Sequence, residues 1–318
     1  MSAFDLARAA KARTAQKFRN RDVTATGENR AVVAFDHLES LWLNTGTLCN
    51  VECAHCYIES SPTNDRLAYL TAAEVRPYLD EAREIGAAEI GITGGEPFMN
   101  PDILEILADA LARDFRVLVL TNAMRPMMRP RIIDGLKAFG ASEIARLNFR
   151  VSLDHYTGQR HDEERGAGSF EAGVAGAKWL AQNGFALTIA GRNFDAETDE
   201  DIRKGYGELF AKHDLPVDAH DPGALVIFPE MDERADVPEI TESCWGILGV
   251  SAGDMMCATS RMLIKRKGET PSLASCTLIP YDRQFEMGAT LKEAAGPVSL
   301  NHPHCAKFCV LGGASCSG

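Results

Sequence analysis

The sequence predicts an α/β protein, a partial parallel (β/α)6 barrel followed by a small C-terminal hairpin-helix domain. Three observations carry that expectation. Strand-like and helix-like patterns alternate six times between residues 36 and 230. The strand segments are continuous apolar runs, as in strands buried on both faces. The conspicuous polar, glycine and cysteine residues fall just after those runs, at the barrel end where active sites lie.

The elements follow in order. SLWLNTG (40–46) predicts a strand running into a cysteine-bearing loop. Thr71-Ala-Ala-Glu74 is a capping box and predicts a helix to about Ile85. AEIGITGG (88–95) is a buried strand ending in glycines. Asn100-Pro101 predicts an N-cap with proline at the first helical position, opening a helix to about Arg113. RVLVLTN (116–122) is a strand and 129–139 a helix. LNFRVSLD (147–154) is a strand, and Ser169 predicts the cap of a helix to Asn183. ALTIAG (186–191) is a strand. Thr198-Asp-Glu-Asp201 starts a helix with acids in its first turn, where the dipole favours them. GALVIFP (223–229) is the sixth strand.

Beyond it, MDERADVPEITES is polar and linker-like. MLIKRKGETPSLASC predicts a β-hairpin turning at Lys267-Gly268-Glu269, and a short helix, Leu291 to Ala295, follows the FEMG segment. Three parts are expected: an N-terminal extension (1–35), the barrel (36–230) and a C-terminal domain (231–318).

Composition sets bounds. The chain has 318 residues, 45% apolar and 25% charged, an ordinary globular mix. A net charge of −12 argues against a broad nucleic-acid surface. No apolar run approaches the roughly 18–20 residues that span a bilayer, so no membrane partner is expected. The N-terminus, MSAFDLARAAKARTAQKFRNRD, has no secretory apolar region and predicts a surface helix rather than a targeting segment. The cytoplasm is the default compartment.

Nine cysteines in such a chain point to metal or redox chemistry. They cluster: Cys49, Cys53 and Cys56 lie early, and the other six lie from Cys244 onward. A zinc site or a fully ligated iron–sulfur cluster wants four ligands. Three therefore imply a distant fourth ligand, His55 included, or a position left open.

Cys49-x3-Cys53-x2-Cys56-Tyr57 resembles the signature of radical S-adenosylmethionine (SAM) enzymes. TGGEP (93–97) falls where that superfamily has its Gly-Gly-Glu element, and VSLDH (151–155) and the Gly191 strand end are in register. The resemblance implies a barrel of radical SAM type in which three cysteinates hold a [4Fe–4S] cluster. The fourth iron would take the amino and carboxylate groups of SAM. Reductive cleavage of SAM would then yield a 5′-deoxyadenosyl radical that abstracts a substrate hydrogen, the cofactor carrying the hard chemistry.

The same resemblance assigns cofactor contacts. Gly94 and Gly95 would admit close backbone approach, and Glu96 would meet the SAM ammonium. Ser152 and Asp154 share a face and resemble ribose-contacting positions. Asn122 is a weaker candidate. Arg165 resembles the arginine that pairs with the SAM carboxylate, Tyr57 the aromatic beside the cluster, and Gly191 would admit adenine. Against these stand plainer readings: local caps for Ser152, Asp154 and Asn122, a surface cation for Arg165, core packing for Tyr57.

Cys257-x18-Cys276 brackets the hairpin, and Cys305-x3-Cys309-x6-Cys316 follows. This resembles the auxiliary-cluster extension called twitch or SPASM. Six cysteines cannot fill two [4Fe–4S] clusters, so one auxiliary cluster is expected. The first choice of ligands is Cys257, Cys276, Cys305 and Cys309, with Cys244 or Cys316 able to replace one. A zinc ribbon or unligated thiols are the alternatives. Such a cluster would exchange an electron with the substrate or bind it at an open iron.

Three functions remain in play. The first is a radical SAM oxidoreductase or rearrangement enzyme acting on a small molecule, reduced by a donor such as flavodoxin or ferredoxin. The second is a peptide maturase. Such enzymes often carry a leader-recognition domain, and the short stretch before the first strand favours the small molecule. The third is a non-catalytic iron–sulfur or zinc scaffold, in which the GGEP element has no purpose.

Overall fold

Strand β1 is the short pair Val32–Val33, and strand β2 (Ser40–Asn44) is buried at every residue. The alternation of β2 sorts its side chains. Leu41 and Leu43 join the core beneath the helices, while Trp42 joins a second core on the opposite face. β3 (Glu89–Thr93), β4 (Arg116–Thr121), β5 (Leu147–Ser152), β6 (Ala186–Asn193) and β7 (Leu225–Pro229) follow in chain order, each parallel to the last. Helices Ala72–Glu84, Ile103–Ala112, Pro130–Lys137, Ser169–Gln182 and Asp199–His213 fill the connections. The six-stranded parallel frame expected from the sequence is present. This computed structural model describes residues 17–194, 197–229 and 236–313. The expected N-terminal surface helix falls mainly on residues 1–16, outside the described residues.

Helix starts follow local chemistry. Thr71 and Glu74 form the expected capping box, the hydroxyl accepting from Glu74 N and the carboxylate from Thr71 N. Asn100 Oδ1 accepts from Asp102 N, as an N-cap does, although the regular helix begins only at Ile103. Its side-chain amide donates to the carbonyls of Thr45 and Leu70, tying two loops together. Ser169 is the first helical residue rather than the cap. The Asp162 carboxylate accepts from Gly168 N, Phe170 N and the Ser169 hydroxyl, so it caps from the preceding helix.

The C-terminal segment departs further from expectation. β8 (Ser260–Ile264) pairs parallel with the free edge of β2. β9 (Ser272–Ala274) and β10 (Glu286–Gly288) continue antiparallel. Among the described residues the sheet therefore has nine strands, in the order β10-β9-β8-β2-β3-β4-β5-β6-β7. The expected hairpin exists, with Gly268 at φ +80° in its turn, but it extends the barrel sheet across the anticipated boundary at 230/231. Residues 291–294 form a turn instead of a helix. Gly296-Pro297 ends the segment too soon, and Glu81 accepts the amides of Leu291 and Lys292.

The linker-like stretch is packed where it is described. Ile240 is buried, and Glu239 accepts from Phe18 N, Ala25 N and the Arg30 guanidinium. β1 pairs antiparallel with β11 (Val298–Ser299). The residues before the barrel are thus held by the last quarter of the chain. No helix among the described residues is long and apolar enough to cross a membrane.

Gly91 in β3 lies against the Trp42 ring, and a Cβ there would sit 2.4 Å from ring carbons. Replacing Gly91 with alanine should destabilise the chain by about 1–3 kcal/mol through overpacking. Urea unfolding would show it, and an unchanged midpoint would mean that Trp42 can move aside.

Candidate active site

The loop after β2 carries Cys49, Cys53 and Cys56, and backbone contacts fix it to its surroundings. Cys49 N donates to Ser61 O (3.0 Å), Ala54 N to Glu164 O (2.8 Å) and Cys56 N to Cys53 O (3.3 Å). Ser60 N lies 3.3 Å from the Cys56 sulfur. Burial pushes the Cys49 thiol up to about 12 and raises Cys53 as well. Bare thiolates are therefore disfavoured here, and bound cations would have to compensate them.

Gly94 and Gly95 take up the approach of that loop. Gly95 N donates to Gly46 O (2.8 Å) and Glu96 N to Leu48 O (3.1 Å). A Cβ on Gly94, at φ +144°, would meet Gly46 O at 2.5 Å, and one on Gly95 would meet Leu48 O at 2.3 Å. Both glycines line the cleft. Glu96 does not, contrary to the expected contact with a ligand. It is 1% exposed, and its carboxylate accepts from Phe98 N, the Thr121 hydroxyl and Asn122 N. A carboxylate buried this deeply needs those donors, so in this structure Glu96 ties the ends of β3 and β4. Asn122 lines the cleft behind the cysteines. Its side-chain amide donates to Asn50 Oδ1 (2.9 Å) and lies 3.9 Å from the Cys49 sulfur.

Ser152, Asp154 and Arg165 all line the cleft, as does Tyr57. Asp154 and Arg165, expected in separate roles, are paired. The guanidinium donates to both carboxylate oxygens, at 2.7 and 2.9 Å. Burial alone would raise the Asp154 carboxyl, but Arg165, with Arg192 and His161, holds the group below the usual range. Arg165 stands on a short helix, Gly158–Arg165, that the sequence reading missed. The inward residues of that helix are His161 and Glu164, so it has no apolar stripe. His161 Nδ1 accepts from Asp154 N (3.1 Å), and burial, then Arg165, pushes its pKa down to about 4.

Gly191 is not a cleft residue. The neighbours Ala190 and Arg192 line the cleft, whereas Gly191 faces the helix Asp199–His213. A Cβ there would meet the Tyr206 hydroxyl at 2.4 Å. That hydroxyl donates to Leu153 O (2.5 Å), so the glycine makes room for a helix-to-strand contact.

Sequence reasoning missed the far wall. Arg192 enters from β6 and lies over the Phe194 ring, 4.4 Å from its centroid. Phe228, Leu278 and Phe308 close the opposite side, with Phe228 and Phe308 stacked 5.5 Å apart. The cleft, its open mouth included, encloses about 1120 Å³.

Leu278 and Phe308 belong to the C-terminal cysteine region. Cys305 starts a π-helical turn, Cys305–Val310, and is buried with Cys257. Burial pushes the Cys305 thiol well up, and the nearby Cys276 and Cys257 add to it. Cys257 and Cys305 share one core, and Cys276 packs against it. Cys309 and Cys244 pack on the same core. Cys244 accepts from Thr241 N (3.3 Å), a local capping contact. Cys316 lies outside the described residues. Among the described residues no three His, Cys, Asp or Glu converge on one point, as a single ion would require. A [4Fe–4S] cube does not require it, because each thiolate takes its own iron. The eight described cysteines are free of disulfides, and soft thiols suit iron–sulfur ligation.

Comparison with known proteins bears on residues 43–206. The family model of the Radical SAM superfamily matches residues 43–206, just over half of the chain. The chain is 31% identical over 155 residues to an AdoMet-dependent heme synthase of Methanosarcina barkeri, covering 47% of this chain and 42% of that one. It is 32% identical over 167 residues to the antilisterial bacteriocin subtilosin biosynthesis protein AlbA of Bacillus subtilis, covering 52% and 36%. The matches thus span less than half of those relatives' lengths. The fold resembles Streptococcus suis SuiB bound to S-adenosylmethionine, with TM-score 0.59 at 13% identity, covering 90% of this chain and 68% of that one.

Asp154→Asn would leave Arg165 buried and unpaired, which should cost about 3–5 kcal/mol. The pair's contribution is present above the ordinary carboxylate pKa of about 3.9. It fades as pH falls through the lowered value, so the variant should lose most near neutrality and least in acid. Denaturant midpoints at several pH values would test this, and a pH-independent difference would assign the loss to packing.

Proposed function

Because the chain belongs to the radical SAM superfamily, we propose that it holds a [4Fe–4S] cluster at Cys49, Cys53 and Cys56 and uses SAM to abstract hydrogen from a substrate. The observation that carries the reading is the cysteine loop clamped on Gly94 and Gly95 at the head of the cleft. Bound there, cluster and SAM would supply a 5′-deoxyadenosyl radical through reductive cleavage of the sulfonium bond. A soluble donor of the flavodoxin or ferredoxin kind would deliver the electron.

The protein's own part is binding, orientation and exclusion of water. Three thiols would leave one iron for the amino-carboxylate of SAM. Ser152 offers a hydroxyl and Arg165 a guanidinium oriented by Asp154. Tyr57 offers an aromatic face. Asn122 stands behind Cys49, held through its backbone by Glu96. Phe228, Leu278 and Phe308 keep one wall dry, where a radical would be shielded from side reactions.

The C-terminal cysteines extend the reading to one auxiliary [4Fe–4S] cluster in a twitch-like segment. Cys257, Cys276 and Cys305 are its core ligands, with Cys309 as fourth and Cys244 or Cys316 in reserve. Such a cluster would take an electron from the oxidised substrate or bind the substrate at an open iron. The substrate is proposed to be a small molecule. A peptide is the second reading, favoured by the likeness to a bacteriocin biosynthesis protein.

Anaerobic reconstitution should give about eight irons per chain, falling to about four when Cys49, Cys53 and Cys56 are all alanine. With dithionite and SAM the parent should form 5′-deoxyadenosine, and Cys53→Ala should form none. Cys257→Ala should lower the iron content and leave some cleavage. A reconstituted parent that never yields 5′-deoxyadenosine would sink the proposal.

A further inference from the structure

Arg261, on β8, is 1% exposed. Its guanidinium donates to four carbonyls: Ala294 O (2.7 Å), Cys257 O (2.6 Å), Ser260 O (2.6 Å) and Gly296 O (2.9 Å). Phe35 lies over it, 4.3 Å from ring centroid to guanidinium carbon. All its hydrogen bonds thus go to neutral groups. Arg30 is just as buried, yet it has a carboxylate, from Glu239. Its bond to the Cys257 carbonyl seats it directly beside one of the proposed cluster ligands. A buried cation is stable when an anion compensates it. The anion available here is the cysteine group.

We propose that Arg261 is the built-in counter-ion of the C-terminal iron–sulfur cluster and holds its reduction potential up. The inference rests on the auxiliary-cluster reading. Each one-electron reduction adds one negative charge to the cluster. A fixed cation beside one of its ligands favours the reduced state through Coulomb attraction in a medium of low dielectric. Removing the cation must lower the potential.

The test uses the full chain with Cys49, Cys53 and Cys56 replaced by alanine, so that only the C-terminal cluster is titrated. Dithionite supplies the electron, and electron paramagnetic resonance follows the reduced cluster. Arg261→Gln should shift the midpoint to lower potential, while Arg261→Lys, which keeps the charge, should stay nearer the parent. Phe35→Glu offers a second route, since a carboxylate over the guanidinium should neutralise it and shift the midpoint the same way with Arg261 in place. An unchanged midpoint in both Arg261→Gln and Phe35→Glu would overturn the proposal. So would a shift in Arg261→Lys as large as that in Arg261→Gln, which would assign the effect to hydrogen bonds. A parent that assembles no iron would overturn the auxiliary-cluster reading itself. Iron bound with an unmoved potential would overturn only the role of Arg261.

Discussion

Two backbone carbonyls, Gly46 O and Leu48 O, lie where the side chains of residues 94 and 95 would otherwise be. That close approach is the constraint on which the site depends. It lets the end of β3 bond directly to the strand entering the cysteine loop, and so fixes the first cysteine against the sheet. Glu96, next in sequence, takes its donors from the end of β4 and the turn after β3. One tripeptide thereby aligns the loop and two strand ends. The glycines are required by the protein's own packing before any ligand arrives.

The frame was legible because its signals are local and repeated. Apolar runs, capping residues and strand-end glycines placed six strands and their helices to within a few residues. The site was legible where a motif stood in one loop, and less so where function rests on packing between elements. The resemblance assigned Gly191 to the cofactor, but in the structure it makes room for Tyr206 on a later helix. The resemblance likewise assigned Glu96 to the SAM ammonium, and its carboxylate is instead taken up by donors that include Thr121, 25 residues away. The helix bearing Arg165 buries charge instead of leucine, so a hydrophobic period could not reveal it. Leu278 and Phe308 join the cleft by tertiary folding alone.

Topology also arranges the two cysteine groups. β8 runs parallel to β2, with Ser40 opposite Ser260. Cys49 follows the C-terminal end of β2, and Cys257 precedes the N-terminal end of β8. Cys257 and Cys305 belong to the second core, together with Trp42, Leu118 and Met262. Charge is compensated at each end: Asp154 and Arg165 beside the first group, Arg261 beside the second.

The pairing of β2 with β8 has a consequence for the newly made chain. β2, starting at Ser40, is made well before β8, starting at Ser260, and among the described residues no other strand covers that edge of β2. Until β8 is made, an apolar strand, SLWLN, presents an open row of amides and carbonyls. Such an edge is a template for pairing with another chain. Yield during expression should thus depend on whether the edge of β2 is shielded until its own partner arrives.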